Sequence, residues 1–113
     1  MTLAPVAPSG VYTVTPGTNV VGPGAELSVS WTTSNAGHND WIALFKNGDP
    51  NTGHRWWVGW TDGALSGTFT LSAPTQPGQY EFRYLLDDGF DDGARSSVVT
   101  VSAGAGPAFN RGP

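Results

Sequence analysis

Five tryptophans occur among 113 residues, and three of them fall in one run, Arg-Trp-Trp-Val-Gly-Trp at 55–60. Read as a strand, this run sends Trp56, Val58 and Trp60 to one face and Trp57 to the other, because successive side chains alternate. With Trp56 and Trp60 turned inward, Trp57 is exposed. An exposed indole with Arg55, His54, Asn51 and Asp49 nearby in sequence could stack on a sugar ring while the polar groups fix its orientation. Two other uses of Trp57 compete with this one. It could pack beneath the connection over 46–55, or it could form a contact patch for a partner protein. Trp31 and Trp41 sit in strongly patterned strands and are expected in the core.

Carboxylates are the second chemical resource. Asp40, Asp62, Asp87, Asp88, Asp91 and Asp92 all fall in the segments 34–40, 61–67 and 87–93. If those segments close one end of a sandwich, that end is strongly acidic and also holds His38. Calcium takes about six to eight oxygen ligands from loops of this composition. A bound ion would also relieve repulsion among the carboxylates. The competing reading is plain turn chemistry, since Asp-Gly pairs close turns without any ion. Asp40, directly before Trp41, is suited to orienting its own loop. Calcium is the one cofactor the sequence suggests, and nothing in it requires one.

Catalytic patterns are weak. Ser, His and Asp are present without a nucleophile elbow or any equivalent context. His38 and His54 are not at metal-ligand spacing. The glycines are scattered among turns and none opens a helix, so no phosphate-binding loop is expected. Cysteine is absent, which excludes thiolate catalysis, disulfides and Cys-based zinc sites. A paired-carboxylate hydrolase would need a cleft across the acidic end. The chain is therefore read as a non-enzyme, with a small hydrolase as the weakest alternative.

The elements that must position these residues are strands. Gly numbers 16 and Pro 9, and charged residues make up only 12%, a composition that favours turn-rich β-structure over helices. The 13 aromatics supply a large core, so disorder is not expected. Seven strand-like runs are legible: 11–15, 26–33, 40–46, 55–61, 67–72, 79–86 and 95–102. The second alternates Leu27, Val29 and Trp31 with Ser28 and Ser30. The third is apolar almost throughout, so both of its faces should be covered. The sixth puts Tyr80, Phe82, Tyr84 and Leu86 on one face and Glu81 and Arg83 on the other. About seven short strands in one domain-sized chain predict an all-β fold, an immunoglobulin- or fibronectin-III-like antiparallel β-sandwich over residues 11–102. Residues 1–10 and 103–113 are rich in Pro, Gly and Ala and read as linker-like ends.

Three segments in order, SVSWTTS, DWIALFK and PGQYEFRYLLDDGFDDGARSSVVTV, resemble a family of immunoglobulin-like modules in bacterial exported proteins. Its hallmarks are D-W-I-G-L-Y and P-G-x-Y-E-x-R-Y strands followed by an A-x-S-x-x-V strand. The SKICH domains of animal proteins look distantly similar. The resemblance covers roughly residues 11–102 and implies a sandwich that accompanies secreted phosphoesterases and carbohydrate-active enzymes. It carries no catalytic residues. Ala43 stands where the family pattern has Gly, and the Asp-rich turn replaces an Asn- and Thr-rich one.

These readings converge on a non-catalytic accessory module of an exported, secreted or cell-surface protein, carbohydrate-binding or adhesive. A structural spacer or protein-interaction module is the alternative. The expected partner is a glycan or another protein. A net charge of −4 disfavours nucleic acid, and no apolar run suits membrane insertion. Residues 1–10 lack the basic and apolar regions of a signal peptide. The open sheet edges imply a monomer or weak self-association.

Overall fold

Alternating apolar residues segregate the chain into two packed sheets. The computed structural model describes residues 12–35, 37, 39–53 and 55–103, and of Arg55 the backbone alone. The linker-like segment 1–10 and, apart from residue 103, the segment 103–113 lie outside the described residues, as do His38 and His54. The strands are β1 (Tyr12–Pro16), β2 (Val20–Val21), β3 (Glu26–Thr33), β4 (Trp41–Lys46), β5 (Arg55–Trp60), β6 (Ser66–Ser72), β7 (Gly78–Leu86), β8 (Asp91–Arg95) and β9 (Val99–Val101). One sheet has the order β1-β3-β6. The other runs β2-β9-β7-β4-β5, with β8 also paired to β7. All pairs are antiparallel except β2 with β9. The architecture is an immunoglobulin-like β-sandwich.

Among the described residues nine strands form where about seven were expected. The first run ends at Pro16-Gly17 as read, and the chain then crosses to the other sheet as an added short strand, β2. Asn19 fixes that crossing, its Nδ2 donating to Ser97 Oγ and to Val98 O, each at 2.7 Å. The last run starts earlier than expected. Asp91, Asp92 and Gly93, read as turn, belong to β8 together with Ala94 and Arg95; β8 pairs with Arg83–Leu86, while β9 pairs with Gly78–Tyr80 farther along the same side of β7.

The main core lies between the sheets. Leu27, Val29 and Trp31 of β3 face Ile42 and Leu44 of β4, with Tyr80, Phe82 and Tyr84 of β7 and Val99 and Val101 of β9 in the same cluster. Full burial of each such side chain contributes about 1.5–3 kcal/mol of transfer free energy. A second, smaller cluster sits on the far face of the larger sheet: Trp41, Ala43, Phe45 and Leu85. β4 is thus buried on both faces, which is why its sequence is a continuous apolar run. That far face carries the candidate site.

Candidate functional site

An extra residue in β5 shapes the site. Ile42 pairs with Gly59 and Ala43 with Trp57, so Val58 is left without a partner and the register shifts there. This is a β-bulge, and it breaks strict alternation. Trp56 and Val58 pack against the main core, Trp56 edge-on to Tyr80 with ring centroids 5.3 Å apart. Gly59 is buried, and a Cβ there would fall 2.9 Å from the Phe69 ring. A larger residue there would require the Phe69 ring to shift. Beyond the bulge Trp60 joins Trp57 on the outer face. The expected grouping of Trp60 with Trp56 is therefore corrected; the bulge reverses it.

The outward indoles rest on a buried one. Trp41 is 4% exposed, whereas Trp57 is 50%, Trp60 45% and Phe90 45% exposed. Trp57 stacks on Trp41 at 5.5 Å and 25° and meets Trp60 edge-on at 5.1 Å and 66°. Phe90, from the turn after β7, stands edge-on to Trp41 at 6.1 Å. Trp41 Nε1 donates to Gly89 O at 3.1 Å, tying the turn to the stack. The result is an aromatic surface of three partly exposed rings over one buried floor. Such rings offer flat apolar faces to a ligand with little conformational entropy to lose.

Beside this surface runs a polar ladder under the segment 47–53. Arg83 is fully buried, its guanidinium 4.3 Å over the Phe45 ring. Arg83 Nε donates to Glu81 Oε2 at 2.8 Å and Nη1 to Asn51 Oδ1 at 2.8 Å. Asn51 Nδ2 in turn donates to Phe90 O at 2.7 Å and to Asp92 Oδ1 at 2.9 Å. Arg95 Nε donates to Asp92 Oδ2 at 2.9 Å, and Arg95 Nη1 reaches Glu81 Oε2 at 3.4 Å. Burial pushes the Asp92 carboxyl up, but the hydrogen bonds from Arg95 and Asn51, with the Arg95 charge, outweigh it and hold the carboxyl below its ordinary range.

This ladder reassigns two expected site residues. Asn51 has both amide hydrogens and its carbonyl engaged, so it positions Phe90 and the 47–53 segment. Asp92 lies in the ladder, with one carboxylate oxygen accepting from Asn51 and the other from Arg95. Asp49 sits in the turn after β4, its backbone N–H donating to Lys46 O at 3.0 Å. The side chains of Arg55 and His54 lie outside the described residues.

At the loop end, Asp40 is 4% exposed and ties three segments together. Its Oδ2 accepts from Gly37 N at 3.0 Å and Tyr84 Oη at 2.9 Å, and its Oδ1 accepts from Asp87 N at 3.0 Å. Its backbone carbonyl accepts from Thr61 N at 3.0 Å and Thr61 Oγ1 at 3.2 Å. Asp40 therefore orients the loops. Asp62, Asp87 and Asp88 have φ of 57°, 56° and 54°, left-handed conformations that Asp tolerates better than most side chains. Asp62, Asp87, Asp88 and Asp91 are exposed. Among the described residues no three His, Asp or Glu side chains converge as a metal-ligand set.

Tyr84, expected only as core, is the hidden polar element here. Burial first, and then the hydrogen bond to Asp40 and its charge, push its hydroxyl from 10.0 up to about 12, with Thr61 opposing. The folded state holds this proton more tightly than the unfolded chain. The associated stability is therefore whole below about pH 10 and is lost as pH rises toward about 12. About 2 to 3 kcal/mol of alkaline destabilisation is expected in denaturant titrations across that window. Tyr84→Phe should flatten the decline; an unchanged slope would assign it elsewhere.

No family model matches the sequence, and no curated protein is significantly similar to it. Among solved structures the chain is similar to the CARDB domain of a Pyrococcus furiosus protein in complex with di-metal ions, at 19% identity and a TM-score of 0.44, over 80% of this chain and 90% of that one. At that distance nothing about the site passes from one protein to the other.

Proposed function

We propose that this sandwich is a non-catalytic carbohydrate-binding or adhesive module of an exported protein, and that the surface of Trp57, Trp60 and Phe90 is where the saccharide stacks. One observation carries the reading: Trp57 is half-exposed while its other face is seated on buried Trp41. Leaving a large indole in water forgoes burial energy, and a ring held rigid in that state is prepared for a flat apolar partner. The resemblance of the motif strands to accessory modules supports the same reading. The buried aspartate at the loop end is consumed in holding loops, which leaves the aromatic surface as the stronger candidate.

The test is intrinsic tryptophan fluorescence during titration with soluble oligosaccharides and polysaccharides. A saturable shift is expected for at least one glycan. Trp57→Ala should weaken that binding by roughly 30-fold, the equivalent of about 2 kcal/mol for a central aromatic anchor. The variant should stay folded, because half of the ring is already in water. Binding that survives Trp57→Ala unchanged would remove the surface from consideration. If no glycan binds, the module is better read as a spacer or protein-docking domain.

A further inference from the structure

We infer that the aromatic surface selects cationic saccharides, chains of 2-amino sugars with free amines, over neutral and anionic ones. The inference rests on the carbohydrate reading and narrows its substrate class. Two features combine. Trp57 and Trp60 meet at 66° with both rings half-exposed, so their faces form an open corner. Indole faces attract ammonium groups through the ring quadrupole.

The second feature is the charge around that corner. Asp88 and Asp91 lie within two residues of Phe90, and Asp62 lies two residues beyond Trp60. Two residues of chain span at most about 7 Å, inside the physiological screening length of about 8 Å. All three are exposed, and no described group bonds or pairs with their carboxylates. Among the described side chains the nearby guanidinium groups are already neutralised, Arg83 by Glu81 and Arg95 by Asp92 and Glu81. The three carboxylates outnumber the one further cation near the corner in sequence, Arg55, whose side chain lies outside the described residues. The surface thus combines ring faces with unpaired negative charge. A neutral sugar gains stacking alone, a polyuronate is repelled, and a protonated amino sugar gains both stacking and attraction.

The experiment compares free-amine glucosamine oligomers with fully N-acetylated oligomers of the same length and with oligouronates, each at low and high salt. The free-amine oligomers are expected to bind roughly 10-fold more tightly than the acetylated ones at low salt, a margin that shrinks as salt rises. Asp62→Asn/Asp88→Asn/Asp91→Asn should erase the preference while leaving acetylated-oligomer binding unchanged. Asn accepts the left-handed backbone at positions 62 and 88, so the fold is spared. Equal affinity of the wild-type protein for both oligomers would overturn the inference and leave the carbohydrate reading standing. Amine-dependent binding that persists in Trp57→Ala would also overturn it, by showing charge pairing without stacking. Failure of every saccharide to bind would overturn both.

Discussion

Asp40→Ala is expected to destabilise the protein by about 3–5 kcal/mol, a large share of the total stability of a domain this size. The carboxylate is 4% exposed and accepts three hydrogen bonds, from Gly37 N, Tyr84 Oη and Asp87 N. Removing it strands those donors where water cannot fully replace it, and hydrogen bonds to a charged group are worth about 1.5–3 kcal/mol each. The partners come from three different segments, so the loss is also a loss of loop registration. Asp40→Asn keeps the shape, but only one of its two terminal atoms is an acceptor, so its amide group must face at least one of the donors. It should cost roughly half as much. Urea denaturation followed by fluorescence measures both. A cost under about 1 kcal/mol for Asp40→Ala would mean that solvent already shares the carboxylate.

Asp40 also bears on the aromatic surface without touching it. Its Oδ1 holds the amide of Asp87, and Asp88 N donates to Asn39 O at 2.6 Å. Those bonds fix the start of the turn whose next residues are Gly89 and Phe90. Weakened glycan binding in Asp40→Asn, measured where the protein is still folded, is the corollary.

What the sequence makes legible follows from how local each feature is. The alternation of Glu26–Thr33 identifies β3 to the residue, and the apolar run of β4 announces burial on both faces. Adjacent Trp56 and Trp57 force one indole outward whatever the surroundings. The misplacement of Trp60 has a different origin. A bulge is a property of pairing, here the shift between Ile42 opposite Gly59 and Ala43 opposite Trp57. The β5 sequence gives only one hint of it, an isolated glycine inside a strand.

The acidic turn is a second case of competing signals. Asp-Asp-Gly reads as turn chemistry on either side of Phe90, and the first copy behaves that way, with Asp87 and Asp88 in left-handed conformations. The second copy enters β8, where it pairs with β7, and Asp92 is held there by a local partner, Arg95, and a long-range one, Asn51. Asn51 lies 41 residues away from Asp92, so no local pattern could reveal the pairing. Phe90 was hidden for the same reason, as one aromatic inside a turn signal. The polar role of Tyr84 was masked by its correct assignment to the core, since the ring is buried and only the hydroxyl works at the loop end.

Trp41→Ala is expected to lower stability by about 3–5 kcal/mol and to abolish saccharide binding, although Trp41 is not itself at the surface. The stability loss follows from burial: the indole anchors the second core cluster and leaves a cavity when truncated. The binding loss follows from what it supports. Trp57 stacks on it, Phe90 stands edge-on to it, and its Nε1 holds Gly89 O. Without that floor the exposed rings lose the rigidity that makes stacking inexpensive in entropy. Trp41→Phe separates the two roles. It keeps an apolar floor, forfeits the hydrogen bond to Gly89 for about 1 kcal/mol, and should weaken binding less than Trp57→Ala does. If Trp41→Phe instead bound as poorly as Trp57→Ala while remaining nearly as stable as the wild type, the position of the Gly89–Phe90 turn would outweigh stacking on Trp57. Phe90 would then be the principal contact, and Phe90→Ala should reproduce the loss without the cost in stability.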